Sequence, residues 1–284
     1  MRPPQAQSHL TRKQWDEFAR VALKSVDLSG EVLMKYQLGK GRNRNPVTLK
    51  GRNDLVTGAD LESCRVMKRH LKRFYPDHSF LVEEPEFSEN NHSDFLWIID
   101  PLDGTTFHNR GLPFFSSILA LEVRGQTELG LISSPFTGDV FVAGLGRGCT
   151  FWNRRLRKRR QVQVSAVNHL ADALVGYSYG KSELHARHMA VTLSALFPIC
   201  RAITRLGGAE IGYAASGACD AFIDNNSTPW DFAAVALMVR EAGGRVTDFA
   251  GREWTKKSDS IVASNGVLHR KLLNRLRTVT AAAG

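Results

Sequence analysis

Phe95-Leu96-Trp97-Ile98-Ile99-Asp100-Pro101-Leu102-Asp103-Gly104-Thr105-Thr106 limits the fold of this chain more than any other stretch. Five consecutive apolar residues bounded by a Pro/Gly turn predict a strand buried on both faces, which requires structure layered on either side of its sheet. Pro101 has no N–H for the ladder, so the strand is expected to stop at Asp100. Gly104 and Thr105 are then expected to open a helix, whose first N–H groups lack helical partners and suit an anion. Two carboxylates beside such N–H groups can hold a metal and a phosphate together. The plain alternative is an ordinary turn, because Asp and Gly form turns in most α/β proteins.

With 284 residues the chain can bury a sizeable core. We expect a single unit of two closely packed lobes, about residues 1–165 and 166–284, since no linker, repeat or low-complexity segment separates them. Thr11 and Gln14 form a capping-box pattern ahead of Trp15, Phe18, Ala22, Val26, Leu33 and Tyr36, a long amphipathic helix. Lys35 to Arg52 carries six cations among Gly39, Gly41 and Pro46 and reads as a basic loop. Ser117–Val123 and Thr127–Ser133 predict strands turned at Gly125, the start of an antiparallel meander. The C-terminal half alternates: a strand over Ala173–Tyr177, a helix over Leu184–Leu196, a strand over Ile199–Ile203 and a Gly/Ala-rich helix near Gly207–Gly217. Such alternation means α/β.

Three separated segments each present acids. Asp54-Leu55-Val56-Thr57-Gly58-Ala59-Asp60 runs into a helical stripe, with Asp60 placed as an N-cap. Ser79-Phe80-Leu81-Val82 is a short apolar strand ending in Glu83-Glu84, and adjacent carboxylates there are costly unless something positive meets them. Pro229-Trp230-Asp231-Phe232-Ala233-Ala234 starts a helix that stops at Gly243-Gly244, and Asp231 in its first turn complements the helix dipole.

Asp-Pro-Leu-Asp-Gly-Thr at 100–105, Asp-Leu-Val-Thr-x-x-Asp at 54–60 and Trp-Asp-x-Ala-Ala at 230–234 followed by Glu241-Ala242-Gly243-Gly244 resemble the signatures of the inositol monophosphatase family. The haloacid dehalogenase-like motif Asp-x-Asp-Gly-Thr is excluded by spacing, because Pro101 stands where its nucleophilic Asp belongs. The resemblance spans about Asp54 to Asn265. It implies an α/β fold layered as an αβαβα sandwich, a homodimer, and a magnesium-dependent, lithium-sensitive phosphatase. By the same resemblance Glu83, Asp100, Asp103, Asp231 and the Leu102 carbonyl are metal ligands. Thr105, paired with Asp60, orients the attacking water, and the N–H groups of Gly104 and Thr105 hold phosphate. Asp103, Gly208, Ala209 and Asp224 meet the substrate. Val82 departs from the family's Gly, and Phe107-His108 replaces its Asn-Phe.

Hard oxygen donors without a His or Cys cluster select Mg²⁺ or Mn²⁺ rather than zinc. The expected substrate is a small sugar or polyol phosphate such as inositol monophosphate. Fructose 1,6-bisphosphate, histidinol phosphate and phosphoadenosine phosphates are the alternatives on the same core. The formal charge of +10 and pI near 9.7 favour anionic partners. A different class, a basic nucleic-acid-associated protein with a phosphatase fold, rests on Arg154-Arg155-Leu156-Arg157-Lys158-Arg159-Arg160, expected at an exposed hairpin tip. The favoured role of that run is solubility, with a nucleic-acid partner as the less favoured alternative. Scattered Cys64, Cys149, Cys200 and Cys219, no apolar leader over Met1–Phe18 and no bilayer-length apolar run point to the cytoplasm, with no membrane partner.

Overall fold

The computed structural model describes residues 7–39, 47–51, 54–180, 182–205 and 209–282. Helix α1 (Arg12–Leu38) begins with the expected capping box: Thr11 N donates to Gln14 Oε1 at 3.0 Å, and Gln14 N to Thr11 Oγ1 at 3.3 Å. The helix carries the expected stripe to Tyr36, whose hydroxyl donates to Glu62 at 2.8 Å, and runs on to Leu38, into the start of the stretch expected as a basic loop. Strands β1 (Val47–Gly51) and β2 (Asp54–Thr57) then form an antiparallel pair, so Lys50 also lies in a strand. Lys40, Gly41, Arg42, Arg44, Pro46 and Arg52 of that basic stretch lie outside the described residues. Helix α2 (Gly58–Phe74) packs beside α1.

Strands β3 (Ser79–Val82) and β4 (Phe95–Asp103), the one-turn helix α3 (Thr105–Asn109), and strands β5 (Ser116–Val123), β6 (Gln126–Ser134), β7 (Asp139–Gly144), β8 (Gly148–Asn153) and β9 (Lys158–Val162) follow. They build a seven-stranded sheet in chain order, with β3 parallel to β4 and the rest the expected antiparallel meander. The second sheet, ordered β11-β10-β12-β14-β13, uses β10 (Leu174–Ser178), β11 (Ala202–Thr204), β12 (Ala221–Asp224), β13 (Arg245–Thr247) and β14 (Ile261–Ser264). Its helices are α4 (Glu183–Leu196), α5 (Ala209–Ala215), α6 (Pro229–Glu241) and α7 (Gly266–Ala282). The strand expected at Ile199 starts later, because Ile199 N and Cys200 N both donate to Leu196 O and prolong the end of α4.

Side chains alternate across β4 and join two cores. Trp97 and Ile99 pack with Phe18, Val26, Met67 and Leu71 of α1 and α2. Ile98 faces the other way, toward Ile211 of α5, Phe232 and Val235 of α6, and Phe222 and Ile261 of the second sheet. Val175, Ile223 and Val262 on that sheet's far face meet Met189 of α4 and Leu268 and Leu272 of α7. The layers are therefore αβαβα, and the apolar run of β4 is continuous because both its faces are covered. Helix α6 lies close against the sheet because a Cβ at Gly130 would stand 2.9 Å from Ala234 Cα. That approach fixes where the first turn of α6 points.

Strand β4 does not stop at Asp100. It runs to Asp103, and Asp100 pairs with Ile118 while Asp103 pairs with Ser116, so one extra residue bulges out at Pro101-Leu102. A bulge tolerates Pro because no ladder N–H is required there. The Pro101 carbonyl is met from below by buried Ser117 Oγ at 2.9 Å and Ser29 Oγ at 3.2 Å.

Candidate active site

The bulge turns the end of β4 into a platform. Asp100, 1% exposed, accepts from Leu102 N at 2.9 Å, a local Asx bond that holds its carboxylate over the bulge. The parallel register Val82↔Ile99 carries Glu83 alongside it, and Glu83 N donates to Ile99 O at 3.1 Å. Asp231 arrives from the first turn of α6, where Pro229 opens the helix and Thr228 Oγ1 accepts from Asp231 N at 3.4 Å. Burial, and then the negative charges of Glu83, Asp103 and Asp231, push the Asp100 carboxyl well above the usual carboxylate range. A hydrogen bond with Glu83 adds to that rise. Residues 83, 100, 103 and 231 come from three segments, and each of the other three acts on Asp100.

Asp60 is not the N-cap of α2. Thr57 caps the helix, and Asp60, three residues later, reaches back to accept from Thr57 N at 2.8 Å and Thr57 Oγ1 at 2.5 Å. This leaves Asp60 Oδ1 facing Thr105, whose Oγ1 lies 3.1 Å away and also 3.0 Å from the Leu102 carbonyl. Burial raises the Asp60 carboxyl to about 6, against the lowering effect of the Thr57 bonds. Buried Glu84 adds to the rise. Thr105, Asp60, Leu102 and the acids thus share one site.

Gly104 makes the exit from β4 possible. Its φ of 85° is left-handed, and a Cβ there would stand 2.5 Å from the Phe114 carbonyl oxygen. Gly104→Ala should therefore destabilise the protein by roughly 2–3 kcal/mol and displace Thr105. Urea denaturation and phosphate release measure the two effects, and a variant matching wild type in both would show that the turn relaxes freely.

Asp224, 5% exposed at the end of β12, is paired in register with Ser178 of β10. Burial first, then Asp231 and Asp103, raise its carboxyl to about 8, although Asn226 N donates to it at 2.7 Å. It therefore stands in the same field as the metal-type acids rather than apart from them. Ala209 begins α5, and Gly208 lies outside the described residues. Sequence reasoning missed Arg205, whose guanidinium lies 4.7 Å from the Tyr179 ring and 5.9 Å from that of Phe107. Phe107 follows Thr105 by two residues and Tyr179 follows Ser178, so this cation bridges two walls of the site. The only available signal was an aromatic at 107 where the resembled family has Asn.

Among the described residues no three His, Cys, Asp or Glu side chains already form a cation cage. The donor set nevertheless suits a hard divalent ion: carboxylates whose burial and mutual repulsion raise Asp100.

The model of the inositol monophosphatase family matches residues 14–281. A Nus factor SuhB from Vibrio cholerae is 35% identical over 81% of this chain and 85% of its own length. The suhB extragenic suppressor protein of Bartonella henselae is 31% identical and superposes with a TM-score of 0.85, covering 92% of this chain and 98% of its own. An IMPase of Thermotoga maritima is 29% identical with a TM-score of 0.84, covering 94% and 100%.

Proposed function

The chain belongs to the inositol monophosphatase family, and from that premise we propose that it hydrolyses a small sugar or polyol phosphate with Mg²⁺ as cofactor. The observation that carries this reading is the buried Asp100 carboxyl under the joint influence of Glu83, Asp103 and Asp231. These four, with the Leu102 carbonyl, would hold the cation, which when bound supplies Lewis-acid stabilisation of the phosphoryl and leaving oxygens.

Thr105 and Asp60 handle the proton. Thr105 Oγ1 can donate to Asp60 while its lone pairs receive a water's hydrogen, aligning that water for attack on phosphorus. With its carboxyl near 6, Asp60 is largely ionised at neutral pH and stays a competent acceptor. The N–H groups of Gly104 and Thr105 meet the phosphate oxygens, and direct attack by water leaves no covalent phosphoenzyme. Asp224, with Asp103, accepts from substrate hydroxyls, the feature that favours a polyol, and the family resemblance adds Gly208 and Ala209 as further substrate contacts.

Phosphate release from inositol monophosphate, fructose 1,6-bisphosphate, histidinol phosphate and 3′-phosphoadenosine 5′-phosphate tests the reading. Turnover should require Mg²⁺, stop with EDTA, and be fastest on the polyol phosphate. No release from any ester at saturating Mg²⁺ would end it. Thr105→Ala should lower kcat about 10²-fold or more while the Mg²⁺ concentration for half-maximal rate stays unchanged. Loss of cation affinity instead would reassign Thr105 to the metal site.

A further inference from the structure

Helix α1 lies over β4 to β6 and leaves the same face of β7 to β9 as the floor of an open groove of about 780 Å³. One wall is a stripe of α1 at three- and four-residue spacing: Arg12, Trp15, Asp16, Arg20, Lys24 and Asp27. The floor is polar. Register pairs Trp152 with Arg159 and Thr150 with Gln161, so these four share the face that Val142 presents toward α1. Arg147 closes the end, its guanidinium 5.5 Å from the Trp15 ring. Its Nη2 donates to the Leu10 carbonyl, but its buried Nε makes no hydrogen bond among the described residues.

Arg12, Arg20, Lys24, Arg147 and Arg159 thus face only two acids in the groove, and both acids are engaged. Asp16 lies 4.0 Å from Arg12, and Asp27 pairs with Arg154. Arg154 in turn lies 4.9 Å from the Trp152 ring centroid and steadies it. The turn and edge strand beyond, residues 155–160, are exposed and carry Arg155, Arg157, Lys158 and Arg160 at the rim.

We propose that this groove binds single-stranded nucleic acid, with the sugar–phosphate backbone along the α1 cations and a base against Trp152. The row from Arg12 to Lys24 is about 18 Å long at the helical rise, enough for about five nucleotides stacked at ~3.4 Å. A cationic track beside an indole suits a strand whose bases present ring faces and whose phosphates present charge. Two other occupants fit less well. A second copy of the chain would bring two positive grooves together. An acidic peptide could not add to the sheet readily, because Lys158, Arg159 and Arg160 guard the β9 edge.

Fluorescence anisotropy of a labelled ten-nucleotide RNA of mixed sequence, at 50 and 200 mM KCl, tests the proposal. Saturable binding that weakens with salt is expected. The exposed-site double variant Lys24→Gln/Arg159→Gln should reduce the slope of log K against log salt by about 1.4, at ~0.7 per cation on a single strand. Trp152→Ala should weaken binding about 5- to 150-fold. A melting curve for each variant confirms that it is folded. Asp100→Asn should bind as wild type does, which separates the groove from the acid site. The proposal is overturned by absence of saturable binding at 50 mM KCl, by folded groove variants that bind like wild type, or by loss of binding in Asp100→Asn. Equal affinity for polyglutamate, or for an RNA duplex of the same length, would overturn it as well.

Discussion

Asp100→Asn and Asp231→Asn should each lower phosphate release by about 10³-fold or more at saturating Mg²⁺, well beyond the 10- to 100-fold typical of residues that only support a ligand. The fold should survive both. Asn at 100 keeps an oxygen to accept from Leu102 N and removes a charge that burial and three neighbouring acids already disfavour. In cation-free protein that change should leave stability equal to or above wild type. Asn at 231 loses the carboxylate that complements the α6 N-terminus, worth about 0.3–1 kcal/mol. Turnover and melting curves measured side by side make the separation visible. A variant with wild-type rate would remove that acid from the reaction, and one that unfolds would mark it as structural.

The second large effect is linkage between cation, pH and stability. The folded-state carboxyls of Asp60 and Asp224 are raised to about 6 and about 8, and burial with the neighbouring acids raises Asp100 well above the usual carboxylate range. A carboxylate raised on folding supports the fold fully below its unfolded value near 4, and that contribution fades as pH rises through the folded value. Cation-free protein should therefore lose stability progressively between about pH 4 and pH 8 from these groups. Mg²⁺ at about 100 times its dissociation constant should return about 2.7 kcal/mol, or roughly 5–10 °C in Tm for a chain of this size. The gain should be larger at pH 8 than at pH 5.5, where more of these carboxyls hold protons and compete with the ion. Melting with EDTA and with 10 mM MgCl₂ at the two pH values checks this. An equal shift at both, or none, would mean that the acids do not form one cation site.

Local signals were legible where they involve neighbours in the chain. Thr11 with Gln14, the two-sided burial of Trp97 to Ile99 and the Gly243-Gly244 stop of α6 all appear as read. Readings failed where a distant partner changed the local rule. Pro101 did not end β4, because β5 accommodates one extra residue opposite Ile118 and Ser116. The basic loop expected from Lys35 begins only after Leu38, the end of α1, and Tyr36 on that last stretch of helix is tied to Glu62 of α2. Asp60 looked like a cap, yet Thr57 is the cap, and the Asp60 carboxylate is shared between Thr57 and Thr105, 45 residues apart from it in the second case.

The sequence by itself determined the α/β class and which acids are candidates, since apolar runs, helix caps and short acidic motifs are written in adjacent residues, while the layered αβαβα arrangement came from the family resemblance those motifs carry. Tertiary structure decided what those acids can do. The parallel β3–β4 register sets Glu83 beside Asp100, and the Gly130–Ala234 approach seats α6 so that Asp231 faces them. The same holds for the basic stretch at 154–160, whose composition alone suggested a solvated tip. Its strand pairing turns Arg159 and Trp152 to one face, where α1 supplies the opposite wall. Charge and ring type are properties of residues. Whether they meet depends on contacts between segments far apart in the chain, and those form only when the two sheets and their helices pack.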